Sequence, residues 1–108
     1  MPQSKQEEQQ FAAGIEQYTE LAELLKALAH PVRLCIVNGL LSSGGCNVSH
    51  IQQCLSLPQS TVSQQLAKLR AAGIIRGARN GLEVCYSVVD TTAIKVVRAL
   101  LSERGGNC

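Results

Sequence analysis

The chain has 108 residues, 45% of them hydrophobic and only 3% aromatic, with a formal net charge of +2. That length supports one domain built on an aliphatic core, and no apolar run reaches the roughly 18 residues that a membrane span needs. The opening Met1-Pro2-Gln3-Ser4-Lys5-Gln6-Glu7-Glu8 is polar rather than signal-like, so a cytoplasmic protein with no membrane partner is expected.

The charge is unevenly spread. Residues 1–29 carry two Lys against five Glu, a net of −3, whereas residues 30–89 carry Arg33, Lys68, Arg70, Arg76 and Arg79 against Glu83 alone, a net of +4. A basic segment of that kind suits a polyanionic partner. The five cysteines are odd in number and irregularly spaced, which argues against a disulfide framework and for free thiols.

In chain order, residues 1–10 read as a disordered polar tail. From there Phe11, Ile15, Tyr18, Ala22 and Leu25 recur at helical spacing, with Leu21, Leu24 and Leu28 widening the stripe. This predicts a first helix, α1, from Phe11 to about Ala29, whose apolar face is too broad for one contact. His30-Pro31 breaks it, and Pro31 opens α2, predicted over Val32–Leu41 with Leu34, Val37, Leu40 and Leu41 turned inward. Ser42-Ser43-Gly44-Gly45 is a loop. A short α3 follows from about Val48 to Leu55, with Asn47 or Ser49 as its cap, Ser49 and Gln52 at capping-box spacing, and Val48, Ile51 and Leu55 inward.

Pro58 suits the first turn of a helix, and α4 is predicted from about Gln59 to Ala72, ending at Gly73. Val62, Leu66 and Leu69 make one buried stripe. Gln59, Ser60, Thr61, Ser63, Gln64, Gln65, Lys68 and Arg70 occupy the other faces, and all can donate to base edges or phosphate oxygens. An ordinary polar surface helix has the same pattern, so the neighbouring elements matter. Ile74-Ile75, a turn containing Asn80-Gly81, and the alternating Leu82, Val84, Tyr86 and Val88 predict a β-hairpin. A last helix, α5, is expected over about Thr91–Glu103, repeating Ile94, Val97, Leu100 and Leu101, before a flexible tail at 104–108. The result is one domain over 11–103, mainly α with a β-hairpin wing, in the order α1-α2-α3-α4-β-β-α5. Joined by Ser56-Leu57-Pro58, α3 and α4 form a helix-turn-helix.

With those residues in view, the chain from Tyr18 to Ala99 resembles the ArsR/SmtB family of bacterial winged helix-turn-helix repressors. Leu24-Leu25-Lys26-Ala27-Leu28-Ala29-His30-Pro31-Val32-Arg33-Leu34 is similar to the family's passage into its second helix. Leu57 to Leu69, with Ser63 and Leu66, is similar to its recognition helix, and Ala72-Gly73-Ile74-Ile75 to its passage into the wing. Gln65 departs from the His that many relatives carry. The resemblance implies a homodimer paired through α1 and α5, with two reader helices in successive major grooves of a partly palindromic operator on double-stranded DNA. Gln59, Ser60, Thr61, Ser63 and Gln64 are then candidates for base-edge and nearby phosphate contacts, joined by Gln65. Lys68, Arg70, Arg76 and Arg79 are candidates for backbone contacts, with Arg79 and Asn80 at the wing tip.

The resemblance also implies an effector that releases DNA; no cofactor is expected to be required, and thiol modification or a soft metal or metalloid ion are the candidate effectors. The third-helix Cys-Val-Cys of arsenite sensors reads Asn47-Val48-Ser49 here, and the last-helix Asp-x-His of zinc sensors reads Asp90-Thr91-Thr92, so both motifs are missing from the sequence, with His50 and Asp90 left as isolated candidate ligands. Sulfur and oxidant sensors pair a cysteine on α2 with one near the end of α5. Cys35 and Cys108 are the nearest equivalents, although the family's α2 position falls at Asn38, one turn beyond Cys35. A separate Cys46-x3-His50-x3-Cys54 run would present two thiols and an imidazole to a soft metal or metalloid ion if α3 began early enough. Ordinary buried or surface roles compete for each of these residues. A repressor with no small-molecule effector is a further alternative. A protein-interaction module without DNA binding is opposed by the basic reader and wing. A cysteine enzyme is disfavoured because neither His30 nor His50 lies in a nucleophile motif.

Overall fold

The computed structural model describes the backbone of residues 5–43, 52–53 and 55–102, and the side chains among them except those of 5–13 and 43. It contains α1 (Lys5–Leu28), α2 (Pro31–Ser43), α4 (Gln59–Ala71), strands β1 (Ile75–Asn80) and β2 (Glu83–Val88), and α5 (Thr91–Leu101). Of the predicted α3, Gln52, Gln53 and Leu55 are helical, while the remainder lies outside the described residues. The two strands form one antiparallel hairpin, so the architecture is the winged helix-turn-helix expected.

α1 begins at Lys5, inside the segment read as a disordered tail. Lys, Gln, Glu and Ala are strong helix formers, and they extend the helix ahead of the apolar repeat that begins at Phe11. At its other end the chain turns through 91° into α2. His30 makes that corner: its Nδ1 accepts the Val32 N–H at 3.1 Å, and its carbonyl accepts the Leu34 N–H at 2.9 Å. Pro31, which has no N–H to satisfy, fills the first position of the new helix.

α2 is the hub of the domain, in contact with α1, α4, β2 and α5. That placement explains a burial pattern that one amphipathic stripe did not predict. Ile36, Val37 and Leu40 are fully buried, whereas Leu34 and Leu41 are half-buried because neighbours surround the helix on several sides. Leu28, Val62, Leu66, Leu69, Ile74, Ile75, Ala93 and Val97 complete the core. Among the described residues none of its fully buried side chains is aromatic, and Tyr86 packs against it half-buried.

α4 ends in a Schellman arrangement. The Gly73 N–H bonds the Arg70 carbonyl at 3.0 Å and the Ile74 N–H bonds the Leu69 carbonyl at 3.1 Å, with Gly73 at φ +76°. Ile74 and Leu69, both fully buried, make the apolar contact that accompanies this motif. The Ile74 carbonyl then accepts the N–H groups of Val89 at 2.9 Å and Asp90 at 3.3 Å, tying the start of the wing to its end. Asp90 caps α5, its Oδ1 accepting the Ala93 N–H at 2.8 Å.

The hairpin turn falls one residue later than predicted. Asn80 pairs with Glu83 as the last rung, leaving Gly81 and Leu82 as the two-residue loop. Gly81 has φ +68° and Asn80 keeps an ordinary negative φ. Glycine at the first loop position is the type II′ solution, which needs only one left-handed residue, whereas the Asn-Gly reading assumed two.

Candidate nucleic-acid interface

The polar surface of α4 is organised around its buried side. Val62, Leu66 and Leu69 are buried as predicted, and Ser60, Gln64, Ala67 and Ala71 follow each other at i, i+4, i+7 and i+11 on the exposed face. Gln59, Ser63 and Arg70 flank this row on one edge, all exposed. Thr61, half-buried, and Lys68, exposed, flank it on the other. Two alanines in the exposed row leave room for a close approach. The first turn has no acidic residue and no side-chain cap, so its backbone N–H groups and the helix dipole favour an anion.

Gln65 does not belong to this surface. It is 8% exposed, and its Oε1 accepts the Nη1–H of Arg33 at 2.8 Å. Position 65 is three after Val62 and four before Leu69, so it lies in the inward seam of the helix. That spacing was the available signal, and the polar chemistry of glutamine concealed it. Arg33 is likewise drawn into the structure, donating from Nε to the Ala27 carbonyl at 2.6 Å. Within residues 30–89 the exposed basic set is therefore Lys68, Arg70, Arg76 and Arg79, without Arg33.

The wing separates two of these charges. Arg76 pairs with Ser87 and Arg79 with Val84, and three residues along a strand reverses the side-chain direction. Arg76 thus shares a face with Cys85 and Ser87, while Arg79 continues the face of Tyr86 and Val84 outward to the tip. Asn80 is exposed beside it, and Leu82 stands fully in solvent at 102%. A cavity of about 900 Å³ opens between α1 and the C-terminal part of α4. Its lining includes Glu20, Glu23, Lys26, Arg33, Lys68 and Asp90, a balanced set that favours neither sign of charge.

Among the described residues, Cys35 and Cys85 are free thiols, both half-buried, and no three His, Cys, Asp or Glu side chains gather as a metal site. Cys46, His50, Cys54 and Cys108 lie outside the described residues. Asp90 serves as a helix cap.

A helix-turn-helix domain model matches residues 28–78, the span from the end of α1 to the middle of β1. The transcriptional repressor PagR of Bacillus anthracis is 47% identical over 79 residues, covering 73% of this chain and 79% of PagR. The chain belongs to the ArsR/SmtB family of transcriptional repressors. The biofilm growth-associated repressor of Xylella fastidiosa is 41% identical over 81 residues, covering 75% of this chain and 70% of that protein. The PagR crystal structure superposes with a TM-score of 0.72 at 43% identity, over 80% of this chain and 98% of PagR. That of BigR from Xylella fastidiosa gives 0.71 at 33% identity, over 94% and 97%. This ArsR/SmtB protein is accordingly a DNA-binding transcriptional repressor and not an enzyme.

Proposed function

We propose that this repressor acts in the cytoplasm as a homodimer paired through α1 and α5, reads operator DNA with α4 and the wing, and releases it when its thiols are modified. The observation that carries the DNA-reading part is the acid-free exposed face of α4, continuous in sequence with a wing that holds Arg76 and Arg79. Ser60 and Gln64 sit at its centre, with Gln59, Thr61 and Ser63 beside them, as base-edge and phosphate contacts. Lys68, Arg70, Arg76, Arg79 and Asn80 serve the backbone and groove edge. Dimerisation is supported by exposed Ile15, Leu21 and Leu25 on α1 and Leu100 on α5, an apolar surface that a second copy would bury.

The effector reading rests on the place of Cys35. It is a half-buried thiol on α2, the helix that touches both the reader α4 and the dimer helix α5. Joining it to Cys108 through a disulfide or polysulfide bridge would shift α2 against both; for the disulfide, peroxide or a polysulfide accepts the two electrons and two protons released, and for the longer bridge the polysulfide also supplies the inserted sulfur. The test is titration of a duplex selected by the wild-type protein from a random pool, using reduced protein and protein treated with peroxide, polysulfide, arsenite, Cd²⁺ or Zn²⁺, with mass mapping of each thiol. Loss of DNA with a mapped Cys35–Cys108 bridge, abolished in Cys35→Ser, supports the reading. Release by the ions alone transfers it to Cys46, His50 and Cys54, and release by none leaves a repressor without a small-molecule effector.

A further inference from the structure

Three hydrogen bonds from one guanidinium link the end of α1 to α4, the one to Gln65 spanning thirty-two residues of sequence. Arg33, in the first turn of α2, donates from Nε to the Ala27 carbonyl at 2.6 Å, from Nη2 to the Lys26 carbonyl at 3.5 Å, and from Nη1 to Gln65 Oε1 at 2.8 Å. Lys26 and Ala27 belong to the last turn of α1, which carries the negative end of the helix dipole, and the Lys26 carbonyl also accepts the Ala29 N–H at 3.2 Å. Gln65 is the one buried polar side chain among the described residues. The planar fork of an arginine can hold both ends at once, and a lysine ammonium on a flexible stem has no equivalent geometry.

We infer that Arg33 is a positioning residue for operator binding: with Gln65 it fixes the reader helix α4 to the end of α1, and so sets the angle of the reader to the dimer axis. Neither side chain touches DNA in this role. Breaking the bond strands a buried acceptor and a half-buried charged donor, and the orientation of α4 then rests on its packing against α1, α2 and β1 alone. The inference rests on the reading of α4 as reader and α1 as dimer helix. Two such helices must meet successive grooves at a set separation, so a small rotation in each protomer costs affinity and alters the preferred half-site spacing.

The test uses full-length protein and a duplex that the wild type selects from a random pool, together with versions in which the half-site spacing is changed by one base pair. Gln65→Met keeps length and helix propensity without the acceptor, Arg33→Met removes the donor, and the double variant completes a cycle. Each single variant is expected to bind the selected duplex about 10-fold more weakly, with an unchanged salt slope, an unchanged dimer mass and a flattened spacing preference. The double variant is expected to lose about the same 10-fold rather than 100-fold. Multiplicative losses, a loss confined to one base pair, a retained spacing preference, or dissociation of the dimer would each overturn the inference. If Arg33→Met does not fold, the spacing preference and single-base profile of Gln65→Met decide. Failure of the wild type to select any duplex would instead remove the DNA-reading assignment itself.

Discussion

Gly77 and Tyr86 face each other across the hairpin, and a Cβ built on Gly77 would stand 3.1 Å from the Tyr86 ring and 3.1 Å from Val84 Cγ1. The absent side chain lets the ring lie over β1, where it packs against the core. Gly77→Ala needs a shift of a few tenths of an ångström, while Gly77→Val forces the ring aside. We expect Gly77→Val to cost about 1–3 kcal/mol, the usual cost of overpacking, with Gly77→Ala well below it. Urea denaturation measures the stabilities, and the near-ultraviolet tyrosine signal, read in a Tyr18→Phe background so that Tyr86 alone contributes, reports the displacement. Equal stability of wild type and Gly77→Val would show that the ring is not confined.

Ser56 lies in the turn before α4 at φ +53°, a left-handed conformation that costs a residue with a Cβ about 1–2 kcal/mol. Its N–H bonds the Gln53 carbonyl at 3.2 Å, so the turn holds it there. Ser56→Gly removes the strain but loosens the unfolded chain, for a net expected gain of about 0.5–1 kcal/mol. The urea midpoint should rise with an unchanged m-value. A fall would mean that the hydroxyl contributes more than the backbone loses.

These two positions show what the chain discloses to a reader and what it withholds. The periodicity of Val62, Leu66 and Leu69, the Pro31 and Gly73 boundaries and the alternation through Val88 are local signals, and each corresponds to an element of the fold. Gln65 has the spacing of the inward seam, but its polar side chain hides this, since the partner that satisfies it, Arg33, lies thirty-two residues away in sequence. The hairpin loop moved by one residue because cross-strand register, set by Ile75 against Val88 and Gly77 against Tyr86, outweighed the preference of Asn-Gly. α1 ran longer than its apolar repeat because helix propensity needs no partner to act.

Asp90 bonds the Ala93 N–H at the start of α5, in the segment where zinc-sensing relatives were expected to hold a metal ligand. Its cap predicts that Asp90→Ala costs about 1 kcal/mol, while Asp90→Asn or Asp90→Ser costs less because each retains an oxygen acceptor. Thermal or urea unfolding without added metal checks the order of the three variants. A loss that appears only when Zn²⁺ is present would assign the carboxylate to a metal instead.

Leu25 is 52% exposed on α1, one turn beyond exposed Leu21 and two turns beyond exposed Tyr18. If the proposed dimer buries that stripe, Leu25→Glu places a charge in an apolar interface, which desolvation opposes strongly. Sedimentation should show a monomer at concentrations where the wild type is a dimer, with helical content retained because the site is outside the core. Operator affinity should fall at least 100-fold, since one reader helix then binds without the other's effective concentration. A variant that stays dimeric would move the interface away from α1.

Arg79 and Arg33 make opposite predictions for salt dependence. Arg79 is exposed near the wing tip on the face of Tyr86 and Val84, whereas the Arg33 guanidinium is occupied by Ala27 and Gln65. A phosphate contact releases about one counterion, so Arg79→Ala should reduce the slope of log affinity against log salt by about one and weaken binding to all sequences alike. Arg33→Met should leave that slope unchanged while lowering affinity at every salt concentration. Titrations between 50 and about 200 mM salt suffice to separate the two. An unchanged slope for Arg79→Ala would take the wing tip out of the interface and leave the backbone contacts to Lys68, Arg70 and Arg76.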